Sequence, residues 1–417
     1  MKQYDTYKDS GVQWLGEIPG HWKTIRVKSL LSERVDKSTT GLEEPLSMSQ
    51  KVGIIPTKEM DVVPNMASSY IGAKKVFKND LVFNKLKAHL GVFAISQYDG
   101  LVSPDYAVYT PNELVCLPYM EYTFHTQLYI GEFKRRSTGV AIGLTRLYTP
   151  GLFAIPFVYP PLSEQRSIVS FLDAKCGKID EWVTKKQKEV EHLQELKQRV
   201  IADAVTRGLN PHVKMKETGV FWWKETPEQW QKLRLGCILQ KMNRQRLPNS
   251  ELLVCTNKGK VIKRGDTKIG LIADSEDIYQ GVAKGDLLIH GMDTWHGAIA
   301  VSNFNGMCTP VVHVCTSNEN LYFVAYYMQV MAYSKIFKII SNGVRQNTSD
   351  FRSWSKVDKI PIMLPSKHEQ KQIVSYLDAK CAKIDELIAN ITKEIECIKE
   401  YKQRLIIDVV IGQIKVC

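Results

Sequence analysis

Two stretches of the chain share one pattern, apolar residues spaced alternately three and four apart, the period of a helix that buries a single stripe. In the second stretch Ile384, Ile388, Ile391, Ile395, Ile398, Leu405 and Val409 follow it, with Lys402 in the one missing slot. The first has Ile179, Val183, Val190, Leu193, Val200 and Ala204 at the equivalent places, interrupted by Lys186 and Lys197. Pro160-Pro161 and Pro365-Ser366 stand where each helix would begin, and Gly208 followed by Pro211 marks a stop, because proline suits a first helical turn and glycine the residue past the last. The spacing predicts two helices of roughly 45 residues, on the order of 65 Å of helix each. Several heptads in two matching copies favour pairing of the helices with one another over packing of each on its own globular block.

Elsewhere the pattern is shorter. Asp80–Phe83, Leu90–Ile95, Asp286–Ile289 and Ala298–Val301 read as strands between turns, and Leu321 to Phe337 reads as helical, so the two blocks outside the long helices are predicted to be mixed α/β.

The helical stretches belong to a repeat that covers the chain. Residues Glu164 to Glu181 match Glu369 to Glu386 without a gap, 205 positions apart, and the match continues to Lys197-Gln198-Arg199 against Lys402-Gln403-Arg404. A second echo sets Lys8 to Trp14, Pro19 and Trp22 against Lys216 to Trp222, Pro227 and Trp230. A third sets Asn79-Asp80-Leu81-Val82-Phe83 and Gly91 against Gly285-Asp286-Leu287-Leu288-Ile289 and Gly297. The chain therefore reads as one module written twice: a first globular domain at 1–160, a central helix at 161–213, a second globular domain at 214–361 and a distal helix at 362–417. Helix one ends where the second block begins, so helix two can pair with it only by running back. The expected fold is two α/β blocks separated by an antiparallel coiled coil, a tandem repeat with an approximate two-fold.

Composition narrows the function. The chain has 56 Lys and Arg against 44 Asp and Glu, a formal charge of +12, which favours a polyanionic partner. Residues 1–160 carry 18 basic and 15 acidic side chains and residues 214–361 carry 20 and 13, whereas each helical segment carries 9 and 8. The excess thus lies on the two heads, as expected of a two-site nucleic-acid reader, and the second head is expected to supply more of the salt-dependent phosphate contact. No signal-like N-terminal segment or membrane-spanning run is present, and a cytoplasmic protein is expected. Nine scattered cysteines, Cys116, Cys176, Cys237, Cys255, Cys308, Cys315, Cys381, Cys397 and Cys417, form no CxxC, which argues for reduced, mostly buried thiols rather than a disulfide frame or zinc site.

Base edges are read by Arg, Lys, Asn, Gln and His on exposed loops. The first head offers Asn84, Lys85, Lys87, His89, Arg135, Arg136 and Arg146. The second offers Arg244, Arg246, Lys260, Lys263, Arg264, His290 and the triplet Arg345-Gln346-Asn347, the sharpest candidate because it follows Asn342-Gly343. Catalytic signatures are missing: there is no GxGxxG, no GxxxxGK[ST], no HExxH, no GxSxG and no Pro-Pro-aromatic loop. Glu195-x-Lys197 and Glu400-x-Lys402 mimic part of a nuclease motif but lie in the helices and read as solvated or partner-facing charges. His125 and His313 read as structural.

Taken together, Pro160-Pro161-Leu162-Ser163-Glu164-Gln165 leading into Ile168 to Leu172, its twin at Pro365 to Leu377, Ile179-Asp180 with Ile384-Asp385, and the Gly-Val-x-Trp to Pro-x-x-Trp segments at 11–22 and 219–230 resemble the specificity subunit of type I restriction-modification enzymes. The turn Gly343-Val344-Arg345-Gln346 also looks like the family's, whereas the first head reads Gly139-Val140-Ala141-Ile142. The resemblance implies a non-catalytic subunit whose heads are target-recognition domains, each reading one half of a bipartite site in double-stranded DNA. It implies a helix pair that sets the gap and docks two methyltransferase subunits, and motor-nuclease subunits that join for cleavage. No cofactor is expected in this chain; S-adenosylmethionine and the flipped adenine belong to the methyltransferase partners. A modification-only specificity subunit and a stand-alone two-headed DNA-binding or scaffold protein are the alternatives.

Overall fold

The computed structural model describes residues 2–50, 52–60, 69–141, 144–245, 250–265, 278–341 and 350–416. The chain divides into two units, Met1–Lys186 with Lys393–Cys417, and Gln187–Thr392. Each unit holds its own sheets, its own helices and one segment of each long helix.

In the first unit β1 (Leu31–Arg34), β2 (Leu81–Asn84), β3 (Phe93–Ile95) and β4 (Tyr106–Pro111) form an antiparallel sheet in the order β1-β4-β2-β3. Alternation along a strand sends successive side chains to opposite faces, and here both faces are buried. Leu81, Phe83, Phe93 and Tyr109 enter the main core, while Val82 and Val108 pack with Leu46, Ile54, Val76 and Val102 under the flanking hairpins. The helices α1 (Leu117–Phe124) and α2 (Gln127–Arg136) cover the first face. Phe83 stacks on Phe93 at 4.5 Å between ring centroids and meets Phe124 and Phe133 edge-on at 6.0 and 5.7 Å, the offset and T-shaped geometries aromatic rings prefer. From this core the chain enters the long helix α3 (Leu162–Arg207).

The second unit repeats the plan. β5 (Gln240–Met242), β6 (Leu287–His290), β7 (Ile299–Val301) and β8 (Val312–Thr316) pair in the order β5-β8-β6-β7. Again Leu287 and Ile289 face the main core and Leu288 and Val314 the second cluster. The helical stretch expected as one piece from Leu321 to Phe337 is two, α4 (Leu321–Tyr333) and α5 (Ile336–Ile340). Lys335 adopts φ 59° between them, a left-handed step that an apolar run alone does not announce. The strands expected from Leu90 and Ala298 begin later, at Phe93 and Ile299, because 3-10 turns at Ala88–Leu90 and Thr294–His296 end on left-handed Gly91 and Gly297. Glycine is the residue that occupies that region without a Cβ penalty. The second unit ends at Thr392, within the second long helix, α6 (Lys367–Val410).

Helix ends follow the sequence signals. α3 stops at Arg207 before Gly208 (φ 75°), and α6 stops at Val410 shortly before Gly412 (φ 81°), the glycine-terminated ends that let a helix turn out of register. Within each unit the two helical segments run antiparallel. In the second, Lys197 reaches both oxygens of Asp385 at 2.6 and 2.7 Å, and Gly208 lies beside Glu369 near the start of α6. In the first, Lys402 reaches both oxygens of Asp180 at 2.7 Å, while Ile168 and Leu172 share a core with Leu405, Val409 and Val410. Of the residues predicted for helix pairing, Val183, Ile384, Ile391, Ile395 and Leu405 are buried, and Ile179, Val190, Leu193, Val200, Ile388 and Ile398 are half-buried.

Lys197 and Lys402, read from the sequence as solvated or partner-facing charges, keep partial solvent access and in addition clasp the aspartate of the opposite helix within their own unit. All four side chains retain solvent access, between 26% and 62% exposed, so each pair contributes only about 0.3–1 kcal/mol. A double-mutant cycle on Lys197→Ala and Asp385→Ala, followed by chemical denaturation, is expected to give a coupling in that range that shrinks in 1 M salt. A salt-insensitive coupling several times larger would contradict the exposed-pair reading.

The repeated motifs fasten heads to helices. Trp22 and Trp230 donate their indole N–H to Glu164 and Glu369 at 3.0 and 3.1 Å. Gln165 and Gln370, both fully buried, donate to the carbonyls of Pro160 and Pro365 at 2.9 Å and accept from the amides of Cys116 and Asn320 at 2.8 and 2.9 Å. A buried amide with its donors and acceptors satisfied specifies one packing. In the first unit the end of α6 also docks on the N-terminal segment: Tyr7 donates to the Gly412 carbonyl at 3.1 Å and the Lys415 amide to Lys2 at 2.9 Å.

Candidate nucleic-acid interface

One end of each four-stranded sheet gathers polar side chains. In the first unit Asn84 ends β2 opposite Tyr106 on β4. Its side-chain carbonyl accepts from the Leu86 amide at 3.1 Å and fixes the turn that follows. Lys85 is next; its amine donates to the Pro104 carbonyl at 3.1 Å, and its backbone carbonyl accepts from Leu147 at 3.0 Å. That bond brings in the hairpin Thr138–Ala141 and Leu144–Arg146, whose Arg146 pairs with Asp105 at 3.0 Å. Burial, with help from the nearby Lys74 and Arg146 charges, holds the Lys85 amine below its usual pKa. Asn84, Lys85, Arg146 and Asp105 thus meet at one sheet end, with Lys87 and His89 on the same turn.

The corresponding end of the second unit carries different chemistry on the same frame. His290 ends β6 opposite Val312, and its Nδ1 accepts from the Asp293 amide at 3.1 Å, doing for this turn what Asn84 does for the other. Burial lowers the His290 pKa against the opposing pull of Asp293. Gly291 stands where the first unit has Lys85. A Cβ there would fall 2.9 to 3.0 Å from the backbone of Val311, Phe351 and Arg352, so the glycine permits that segment to lie against the sheet.

Other predicted readers lie elsewhere. Arg244 grips the buried Asp286 through its two terminal guanidinium nitrogens, as Arg34 grips Asp80 through Nε and Nη2 at 2.8 and 3.1 Å. Asp286 precedes β6 and His290 ends it, so Arg244 sits at the far end of the sheet. These aspartates also accept the amides of Ala283 and Phe77, which accounts for their place in the repeat. Arg135 and Arg136 both bind Glu132 on their own helix, at 2.8 and 3.0 Å. Lys260, Lys263 and Arg264 lie along a flanking hairpin, where Lys263 pairs with Glu251 at 2.5 Å. Arg246 and the triplet Arg345, Gln346 and Asn347 lie outside the described residues. His125 stacks on Phe93 at 4.2 Å, and burial takes its pKa down to about 4; His313 donates to the Phe351 carbonyl at 2.7 Å. His313 is buried within the second head, whereas His125 is exposed while its ring packs on Phe93.

Two residues at these sheet ends escaped sequence reasoning. Asp105 is acidic and so was no candidate, although it is the group that orients Arg146. Arg352, on the connection leading away from the Arg345 triplet, lacked a neighbouring turn signal. No helix among the described residues is long and apolar enough to cross a membrane.

Comparison with known proteins bears on this geometry. Residues 227–397 match the family model described as the type I restriction modification DNA specificity domain. No curated protein matches the sequence. Among solved structures, a chain from work on complex assembly and conformational transition of the type I R-M system aligns over 95% of this chain and 99% of its own, at 14% identity and a TM-score of 0.71. The HsdS subunit from Thermoanaerobacter tengcongensis aligns over 95% and 98%, at 15% identity and a TM-score of 0.51. Residues 227–397 are therefore similar to the type I restriction modification DNA specificity domain, and over nearly its whole length the chain has the fold of the solved HsdS subunit.

Proposed function

We propose that this chain is the DNA-recognition subunit of a type I restriction-modification complex, each unit reading one half of a bipartite site in double-stranded DNA. One observation carries the reading: a single sheet scaffold occurs twice, with unlike polar groups at the same end, Asn84, Lys85 and Arg146 in one unit and His290 in the other. A shared scaffold with exchanged readers is what an asymmetric, split target calls for. In this reading the paired helices set the unread gap and dock two methyltransferase subunits. Those partners hold S-adenosylmethionine and methylate a flipped adenine, and motor-nuclease subunits complete the cleaving form. The chain itself supplies recognition and assembly.

Modified-base sequencing of cells expressing the chain with a cognate methyltransferase subunit tests this. The expected result is N6-methyladenine in a motif of two short half-sites around a fixed gap, absent when the chain is omitted. A single uninterrupted motif, or methylation independent of the chain, would refute the proposal.

A further inference from the structure

We propose that Arg352 is a base-reading residue of the second unit, offering its guanidinium to a guanine in the half-site that unit recognises; this rests on the reading above. Most arginines already described are engaged by carboxylates: Arg34 by Asp80, Arg135 and Arg136 by Glu132, Arg146 by Asp105 and Arg244 by Asp286. Arg352 is exposed, and among the described residues no carboxylate lies within ion-pair distance of it. Among the described residues its side chain makes one bond, from Nη2 to the Met292 thioether at 3.2 Å, and a thioether is a weak acceptor. The neighbouring acid, Asp350, is taken by Lys356. The charge of Arg352 is thus held in place without being neutralised.

The backbone beneath it is fixed. Phe351 is buried, packs on Phe337 at 5.3 Å and accepts from His313 through its carbonyl at 2.7 Å. The close approach that Gly291 allows presses Arg352 Cα against the turn after β6, where His290 and Met292 lie. A side chain with few fold-stabilising contacts, mounted on a rigid segment at the polar end of the sheet, fits a ligand-reading role better than a packing one. The planar fork of donors matches guanine O6 and N7 in the major groove, which an ammonium cannot do bidentately.

The test uses the full chain in complex with its methyltransferase, comparing wild type with Arg352→Ala and Arg352→Lys by modified-base sequencing and by titration of the wild-type site. Both variants are expected to relax one position of one half-site while the other half-site and the gap persist. The alanine variant should bind the wild-type site about 5- to 150-fold more weakly, and the lysine variant should lose discrimination while keeping its response to salt. An unchanged motif in both variants overturns the proposal. So does equal weakening on all DNA sequences, or loss of methyltransferase co-purification with the motif intact. Wild type run alongside separates the two claims, since a wild-type complex without a split motif overturns the subunit reading itself. The lysine variant keeps the charge and most of the stem, so the outcome stays readable if the alanine variant is unstable.

Discussion

Changing Ile391 and Ile398 together to aspartate is expected to unfold the helical pairing and lower stability by about 5 kcal/mol or more. Ile391 is 7% exposed, and Ile398 is half-buried on the same stripe. Each substitution removes apolar burial, which contributes roughly 1.5–3 kcal/mol for a fully buried side chain, and puts a carboxylate into an apolar stripe. Asp180 and Asp385, the aspartates beside this stripe, differ in keeping solvent access, 62% and 45% exposed, as well as in being reached by Lys402 and Lys197. Circular dichroism at 222 nm on heating is the measurement, with Leu387→Asp as the matched control: it lies on the same helix but is 51% exposed, and its melt should stay close to wild type. If the control and the double variant melt alike, the apolar stripe is not what holds α6. In the subunit reading the double variant also fails to co-purify with its methyltransferase.

The second large effect is expected at Phe124. Its ring is fully buried and lies within 5.3 to 6.2 Å of Phe83, Phe93, Phe133, Tyr129 and Phe157. Truncation to alanine leaves a cavity that rings on three sides cannot close, at a cost of about 3–5 kcal/mol. Because each unit has its own core, hydrogen exchange should lose protection in β2 and β3 while β6 and β7 keep theirs. Equal loss in both units would show that the cores are not separate cooperative bodies.

How much of this was legible in the sequence depended on the kind of signal. The long helices were, because a period sustained over about seven turns averages out its interruptions; the starts at Pro161 and Pro365 and the stop at Gly208 fell within a residue or two. The internal repeat was legible too, since Trp22, Glu164 and Asp80 recur in their structural partnerships as well as in type. The break at Lys335 was not, because one left-handed residue inside an apolar run leaves no periodic trace. The candidate interface was only partly legible. Basic residues can be counted, but whether a carboxylate stands opposite depends on segments far away, as Asp286 does for Arg244 and Asp105 for Arg146. Conversely Arg352 stands out only once Asp350 is seen to be taken by Lys356, with no other carboxylate among the described residues within ion-pair distance.

The docking of α6 on the N-terminal segment has a consequence for how the molecule is made. The second unit is one continuous stretch, Gln187–Thr392, whereas the first needs Lys393–Cys417 as well. Leu405, Val409 and Val410 are fully or almost fully buried parts of the first core. A chain leaving the ribosome N-terminus first folds domain by domain, yet here the later unit has all its residues before the earlier one does. The first unit must wait with part of its apolar surface open until residues 393–417 emerge, so its exposed lifetime is set by the time taken to synthesise the whole second unit.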